Sequence, residues 1–216
     1  DELLDAALAT VDAEGLGALT MRRLAEALGV EAMSLYHHVE NKDAILDGMV
    51  DLVFAEIALP PGDLPWRDAV RHRCLSAREV LRRHPWAVPL MESRTSPGPA
   101  TLRHHDAMLG CLFGGGLPVP VVAHAYAIVD AFVYGFAVQE ASLPASDADL
   151  GEMAEHLLAA LPADAYPHLA SFTATHVLQP GYDFGDSFEV GLELILGGIA
   201  ALAATSPPSG PSTPPT

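Results

Sequence analysis

Apolar residues along this chain return every third or fourth position, and no segment sustains the period-two alternation of a half-buried strand. That periodicity admits helices packed on helices, so the fold is expected to be all-α. A first helix fits residues 2 to 13, with Leu4, Leu8 and Val11 on one face and Gly15 as its stop. Short helices follow over 20 to 28 and 32 to 38, and a longer one runs from the N-cap Asn41 to residue 58. Pro65 and Pro99 stand ahead of helices over 66 to 84 and 100 to 113, and a glycine triplet at 114 to 116 ends the second. Helices over 119 to 141 and 187 to 203 are the most apolar, and two weaker pieces split by Pro162 lie between 148 and 176. These elements divide into a small N-terminal three-helix domain, 1 to 46, and a larger body, 47 to 204, entered through a linking helix over 47 to 58. The Pro-rich tail, 205 to 216, has no core to join and is expected to be disordered.

Several classes of function are disfavoured. The apolar run near 119 to 138 is interrupted by Pro120, His124 and Asp130, which argues against a spanning helix. The chain opens on Asp1 and Glu2 without a basic leader, and its two cysteines, Cys74 and Cys111, are too few for a disulfide framework, so a cytoplasmic setting is expected. No nucleophile motif marks an enzyme, and the glycine triplet lacks the Lys and Ser/Thr of a phosphate loop. His104, His105 and Asp106 look like metal ligands, but neighbours on a helix point about 100° apart, so the two imidazoles are expected to divide between surface and pocket or core. The six arginines from Arg67 to Arg83 fit a solvated face paired with nearby acids on the same helix.

The stretch from Leu19 to Leu46, "LTMRRLAEALGVEAMSLYHHVENKDAIL", carries the most legible chemistry. Two helices meeting at a steep angle need a small residue at their approach, a left-handed residue at the turn and apolar residues joining them. Ala25, Gly29 and the set Leu24, Leu28, Val30, Leu35 and Val39 supply these. The second helix would then expose Ala32, Met33, Ser34, Tyr36, His37 and His38 on a surface sized for a major groove, with Arg22 on the same side and Lys42 placed to meet a phosphate. An ordinary helical hairpin also satisfies this spacing. Charge opposes a nucleic-acid reading: the formal net charge is -17, and the first fifty residues hold three cations against ten acids.

The run Thr20, Arg22, Leu24, Ala25, Gly29, Val30, Leu35, Tyr36, His38, Val39, Asn41, Lys42 and Leu46 resembles the DNA-binding signature of the tetracycline-repressor family of transcriptional regulators. "VYGFAVQE" (133 to 140) and "FEVGLELILGGIAAL" (188 to 202) are similar to the dimer-forming helices of the subgroup around the tetracycline repressor itself. The resemblance implies a homodimer with two helix-turn-helix heads, double-stranded operator DNA as partner, no cofactor, and a body that releases the operator when it takes a small organic effector. It implies contacts to DNA from Thr20, Arg22, Ala32, Met33, Ser34, Tyr36, His37, His38 and Lys42. The implied pocket holds His72, Ser76, Leu90, His105, Met108, Tyr126, Asp130 and Tyr134, of which Leu90, Met108 and Tyr126 also fit as plain core. Val129, Phe132, Val133, Phe136, Leu192, Ile195, Leu196 and Ile199 would form a four-helix dimer interface, with Gly135, Gly191 and Gly198 allowing close approach. Where the tetracycline-binding members hold a magnesium–drug complex through two histidines and an acid, this chain aligns Leu90, Ala131 and Gln139, so neither metal nor tetracycline is expected. A body of the same fold that binds ligand or protein without DNA is the alternative.

Overall fold

The structure is a computed structural model that describes residues 2–35, 39–144, 147–162 and 164–206. The regular elements among these are helices: α1 (Glu2–Glu14), α2 (Met21–Leu28), α3 (Ala32–Leu35), α4 (Lys42–Glu56), α5 (Trp66–Arg83), α6 (Ala87–Ser93), α7 (Pro99–Gly114), α8 (Val119–Ala141), α9 (Asp147–Ala160), α10 (Pro167–Phe172) and α11 (Asp186–Thr205). A single π turn, Thr173–Val177, extends α10.

The head forms around Leu3, Ala7, Val11, Leu19, Leu24, Leu35, Ile45 and Met49. The buried face of α1 is therefore Leu3–Ala7–Val11, a strict four-residue spacing, and the expected Leu4 and Leu8 sit beside it half-buried. Thr20 starts α2 by accepting the Arg23 amide on its hydroxyl at 3.2 Å. Gly29 ends it at φ 67°, where Val30 N–H bonds Ala25 C=O at 3.0 Å and Gly29 N–H bonds Glu26 C=O at 3.3 Å, the paired bonds of a left-handed helix stop. Val30, expected inside the hairpin, points outward at 46% exposure because this stop turns its side chain away from the core. Asn41 caps α4 with Oδ1 on the Ala44 amide at 2.9 Å.

Helix α4 belongs to both halves. Ile45 and Met49 lie in the head core, whereas Val50, Val53 and Phe54 lie in the body core, so the expected boundary at 46/47 falls inside one continuous helix. The body packs α5, α7, α8 and α11 around residues such as Cys74, Leu81, Met108, Leu112, Val129 and Phe188. Helix α6 lies in a stretch for which no helix was expected; it tolerates Pro89 as its third residue, where no intrahelical N–H bond is yet required. Helices α8 and α11 are, contrary to expectation for α8, long and apolar enough to cross a membrane by length and composition. Helix α8 packs on α5, α7 and α11, whereas most of the apolar window of α11 is not buried within the chain.

The same packing corrects the expected dimer surface. Val129, Val133, Phe136, Leu192, Leu196 and Ile199 are buried inside the chain, and Phe132 and Ile195 are half-buried against its core. Phe132 stacks on Phe188 with ring centroids 5.3 Å apart and covers Gly191, where a Cβ would collide with the ring. The outward apolar residues are instead Ile128 and Val138 on α8 and Val190, Leu194 and Leu202 on α11, with open space over Gly135 and Gly198.

The arginines of α5 reach across the fold, not along their own helix. Arg67 meets Glu193 at 2.9 Å, Arg71 meets Glu189 and Glu193, Arg78 grips Glu140 through two nitrogens and Arg83 meets Glu56. Only Arg82 has a partner on its own helix, Glu79 at 3.6 Å. Arg73 leaves the surface altogether.

Candidate nucleic-acid interface and internal cavity

The hairpin presents α3 outward. Met33 is 73% exposed, Ser34 is half-buried and turns its hydroxyl to Glu31 C=O at 2.8 Å, and Ala32 packs partly into the head core. Ala32 is thus only in part on the expected outer face. Thr20 spends its oxygen on the α2 cap. Arg22 stands almost free of the surface, with a loose 3.5 Å contact to Glu26, and Lys42 is exposed at the first turn of α4. Tyr36, His37 and His38 lie outside the described residues. Arg23, in contrast, is committed to Glu14 across the head. Arg22 on α2, Met33 on α3 and Lys42 at the start of α4 are thus each exposed, side chains of the kinds that meet base edges and phosphates.

A cavity of about 880 Å³ opens in the body between α4, α6, α7 and α8. Val50 and Phe54 of α4 with Val88 and Met91 of α6 form one apolar wall, and α8 forms the other. At four-residue steps α8 presents Ala127, Ala131 and Gly135, a stripe without bulk, beside a second stripe of Tyr126, Asp130 and Tyr134. Of the expected pocket residues, His105, Tyr126, Asp130 and Tyr134 come together here. The others do not: Met108 is fully buried core, Leu90 packs on the core outside the lining, His72 is exposed, and Ser76 accepts the Ala58 amide at 2.9 Å to fix the chain entering α5. Ala131 and Gln139 do line the cavity, and among the described residues no cluster of His, Cys, Asp or Glu has the make-up of a metal site.

Behind Asp130 lies the residue sequence reasoning missed. Arg73 is 2% exposed and its Nη1 donates to Asp130 Oδ1 at 2.9 Å. Burial alone would lower the guanidinium pKa, but Asp130 outweighs it and holds the charge on Arg73. Burial, with Asp130 adding, pushes the Tyr134 and Tyr126 phenols above their ordinary range, so both keep their protons. Tyr126 Oη and His105 Nδ1 are hydrogen-bonded. His104, expected with His105 to supply one surface histidine, is buried against Phe54, and desolvation with Arg73 nearby lowers its pKa, leaving it neutral. A signal for Arg73 was present: it falls on the stripe Ala69, Val70, Cys74, Ala77, Val80 and Leu81, and a charge on an apolar stripe requires a buried partner.

The cavity touches the helix that carries the head. Arg94, at the end of α6, lines it and reaches α4, donating to Asp47 Oδ1, to Asp43 Oδ1 at 3.0 Å and to Asp43 C=O at 3.1 Å. Asp51 of α4 caps α7, accepting the Thr101 amide at 2.8 Å, the Thr101 hydroxyl at 2.9 Å and the Ala100 amide at 3.2 Å. Gly98 is required at this approach, since a Cβ there would overlap the Asp51 carboxylate.

Residues 3–49 match the family of bacterial regulatory proteins called tetR, and residues 59–203 match the tetracyclin repressor-like C-terminal domain. An HTH-type transcriptional regulator of Saccharopolyspora erythraea is 36% identical over 207 residues, covering 94% of this chain and 85% of that protein. The HTH-type transcriptional repressor DrrR1 of Streptomyces coeruleorubidus is 35% identical over 217 residues, covering 94% and 78%. The crystal structure of ActR from Streptomyces coelicolor in complex with actinorhodin is similar with a TM-score of 0.77 and 32% identity, covering 94% of this chain and 97% of that one.

Proposed function

The chain belongs to the tetR family of bacterial regulatory proteins, and on that premise we propose that it is a cytoplasmic repressor whose paired heads hold operator DNA until an organic effector fills the body cavity. The observation that carries this reading is the double use of Arg94: it lines the cavity and it holds α4, the helix that enters the head. A molecule bound between α8 and α4 touches both α4 and the α6–α7 connection, and the Arg94 and Asp51 contacts would convert a shift of either into a movement of Lys42 and the hairpin. Two heads reading successive major grooves have to keep a fixed spacing, so a small movement of each lowers operator affinity.

Homodimerisation is part of the proposal. The outward residues Ile128, Val138, Val190, Leu194 and Leu202 give α8 and α11 an apolar face, and the open space at Gly135 and Gly198 supports close crossing of helices between copies. Because Gly135 and Val138 also line the cavity, a second copy would narrow its mouth.

The effector is an organic molecule with a flat apolar body and at least one hydrogen-bond donor. The stripe Ala127–Ala131–Gly135 offers a surface for a ring system, and Asp130, hydrogen-bonded to Arg73, offers an acceptor. The complex of ActR with actinorhodin supports a ligand of that scale. Thermal-shift screening of metabolites against the intact chain identifies candidates, because a binder stabilises the fold in proportion to the logarithm of its concentration over Kd. For a binder so found, Tyr126→Ala is expected to weaken effector binding about tenfold or more, by removing a ring and a hydroxyl worth about 1–3 kcal/mol, while operator affinity stays within a factor of two. Normal effector binding with a much lower melting temperature would show that Tyr126 is only core.

A further inference from the structure

A cluster of polar side chains at the junction of head and body takes no part in reading DNA or lining the cavity. His84, which ends α5, is 5% exposed, and both its ring nitrogens face carboxylates: Nδ1 lies 2.7 Å from Asp12 Oδ1 on α1, and Nε2 lies 3.2 Å from Glu56 Oε1 at the end of α4. Asp12 Oδ1 also accepts the Trp86 indole N–H at 2.7 Å, and the other Glu56 oxygen takes Arg83. The Trp86 ring stands edge-on to the imidazole, with centroids 6.0 Å apart at 67°. The charged groups facing the ring are thus Asp12 from α1, Glu56 from α4 and Arg83 from α5, while the start of α6 contributes an indole.

The proton inventory of this cluster is restrictive. A neutral imidazole carries one N–H and one lone pair, so it can donate to one carboxylate and must turn a lone pair on the other. Both contacts are satisfied only by the imidazolium. Although burial works to raise the Glu56 pKa, the bonds from Arg83 and His84 outweigh it and hold that carboxyl below its ordinary value. The junction therefore reads as a positive ring between two negative groups on separate elements, one of them the helix that opens the head and the other the helix that links head to body.

We infer that His84 is a head-positioning residue: as an imidazolium it ties α1 and α4 to the α5–α6 corner, and the head loosens when the ring loses its proton. The direction follows from the contacts. They are complete while the ring carries both protons, and one of the two is lost when it gives one up. Operator affinity then weakens with rising pH, a consequence that rests on the proposed operator binding.

The test has one arm without DNA. Trp66→Phe leaves Trp86 as the sole indole, and Trp66 lies on the far side of the body against Gly115. Protonated imidazole quenches a neighbouring indole more than neutral imidazole does, so Trp86 emission is expected to rise along a one-proton curve as pH is raised and to be flat in His84→Gln. In the second arm, operator affinity of the unsubstituted chain is expected to fall about fivefold from pH 6 to pH 8 beyond any change seen in His84→Gln, the value of one hydrogen bond. If His84→Gln does not fold, Glu56→Gln takes its place, with a reduced emission change expected. Emission that is flat in the parent, or titrates alike in parent and variant, overturns the inference, and so does an operator profile identical in the two. Absence of any selective DNA binding with the Trp86 titration intact would instead count against the operator reading.

Discussion

Asp130→Ala is expected to destabilise the fold by about 3–5 kcal/mol, because it leaves the buried Arg73 guanidinium without its counter-charge. The pair is nearly closed to solvent, with side-chain exposures of 3% and 15%, so water cannot replace the lost partner at the Arg73 end. Urea unfolding of parent and variant measures the loss. Replacing both members, Arg73→Met with Asp130→Leu, is expected to recover most of it, since removing a buried pair together costs little when volume is kept. A loss below about 1 kcal/mol for Asp130→Ala would mean that Arg73 reaches solvent or another acceptor, and the preorganised acceptor in the cavity would go with it.

Arg94→Ala is expected to separate effector binding from operator release. Coupling between two sites in a regulator is typically worth about 1–3 kcal/mol, a change of about 5–150-fold in affinity. With Arg94 removed, the bonds to Asp43 and Asp47 are lost and Asp51 remains as the grip of the α6–α7 region on α4. Effector should still bind within a few-fold, while the shift it causes in operator Kd falls toward unity. The linkage is reciprocal, so operator DNA should equally lose its effect on effector affinity. Unaltered coupling would assign the relay to Asp51 and the α7 cap instead.

What was legible in the sequence follows from the range of the interactions. Gly29 and Asn41 act within four residues of themselves, and their turn and cap appear where the residue types require them, while Thr20, expected inside its helix and on DNA, is the cap of α2. The helix-turn-helix pattern was likewise local, whereas Tyr126, Asp130 and Tyr134 followed from the family resemblance and line the cavity from α8. Arg94, Asp47 and Asp51 were illegible because their partners lie about fifty residues away in the chain. The outward face of α8 and α11 was illegible for a different reason. Both helices are apolar nearly all round, so periodicity marks Val129, Val133, Leu192 and Leu196 as buried without saying whether the same chain or a second one covers them. The arginines of α5 failed as local pairs because Glu189, Glu193 and Glu140 reach the helix from other elements.

Operator reading by so acidic a chain is the central claim, and one equilibrium measurement bears on it most directly. Duplexes selected from a random pool by the parent chain are compared with scrambled duplexes by fluorescence anisotropy across salt concentrations, for the parent, Arg22→Ala and Lys42→Ala. The parent is expected to prefer selected DNA about a thousandfold or more. Arg22→Ala should cost about 1–3 kcal/mol on selected DNA and relax preference at one position of each half-site, because its guanidinium matches guanine O6 and N7. Lys42→Ala should weaken selected and scrambled DNA alike and lower the salt slope by about one for each head. Equal affinity of the parent for selected and scrambled duplexes, with neither substitution changing affinity or slope, would contradict the account and leave the chain a ligand-binding member of its fold without a role on DNA.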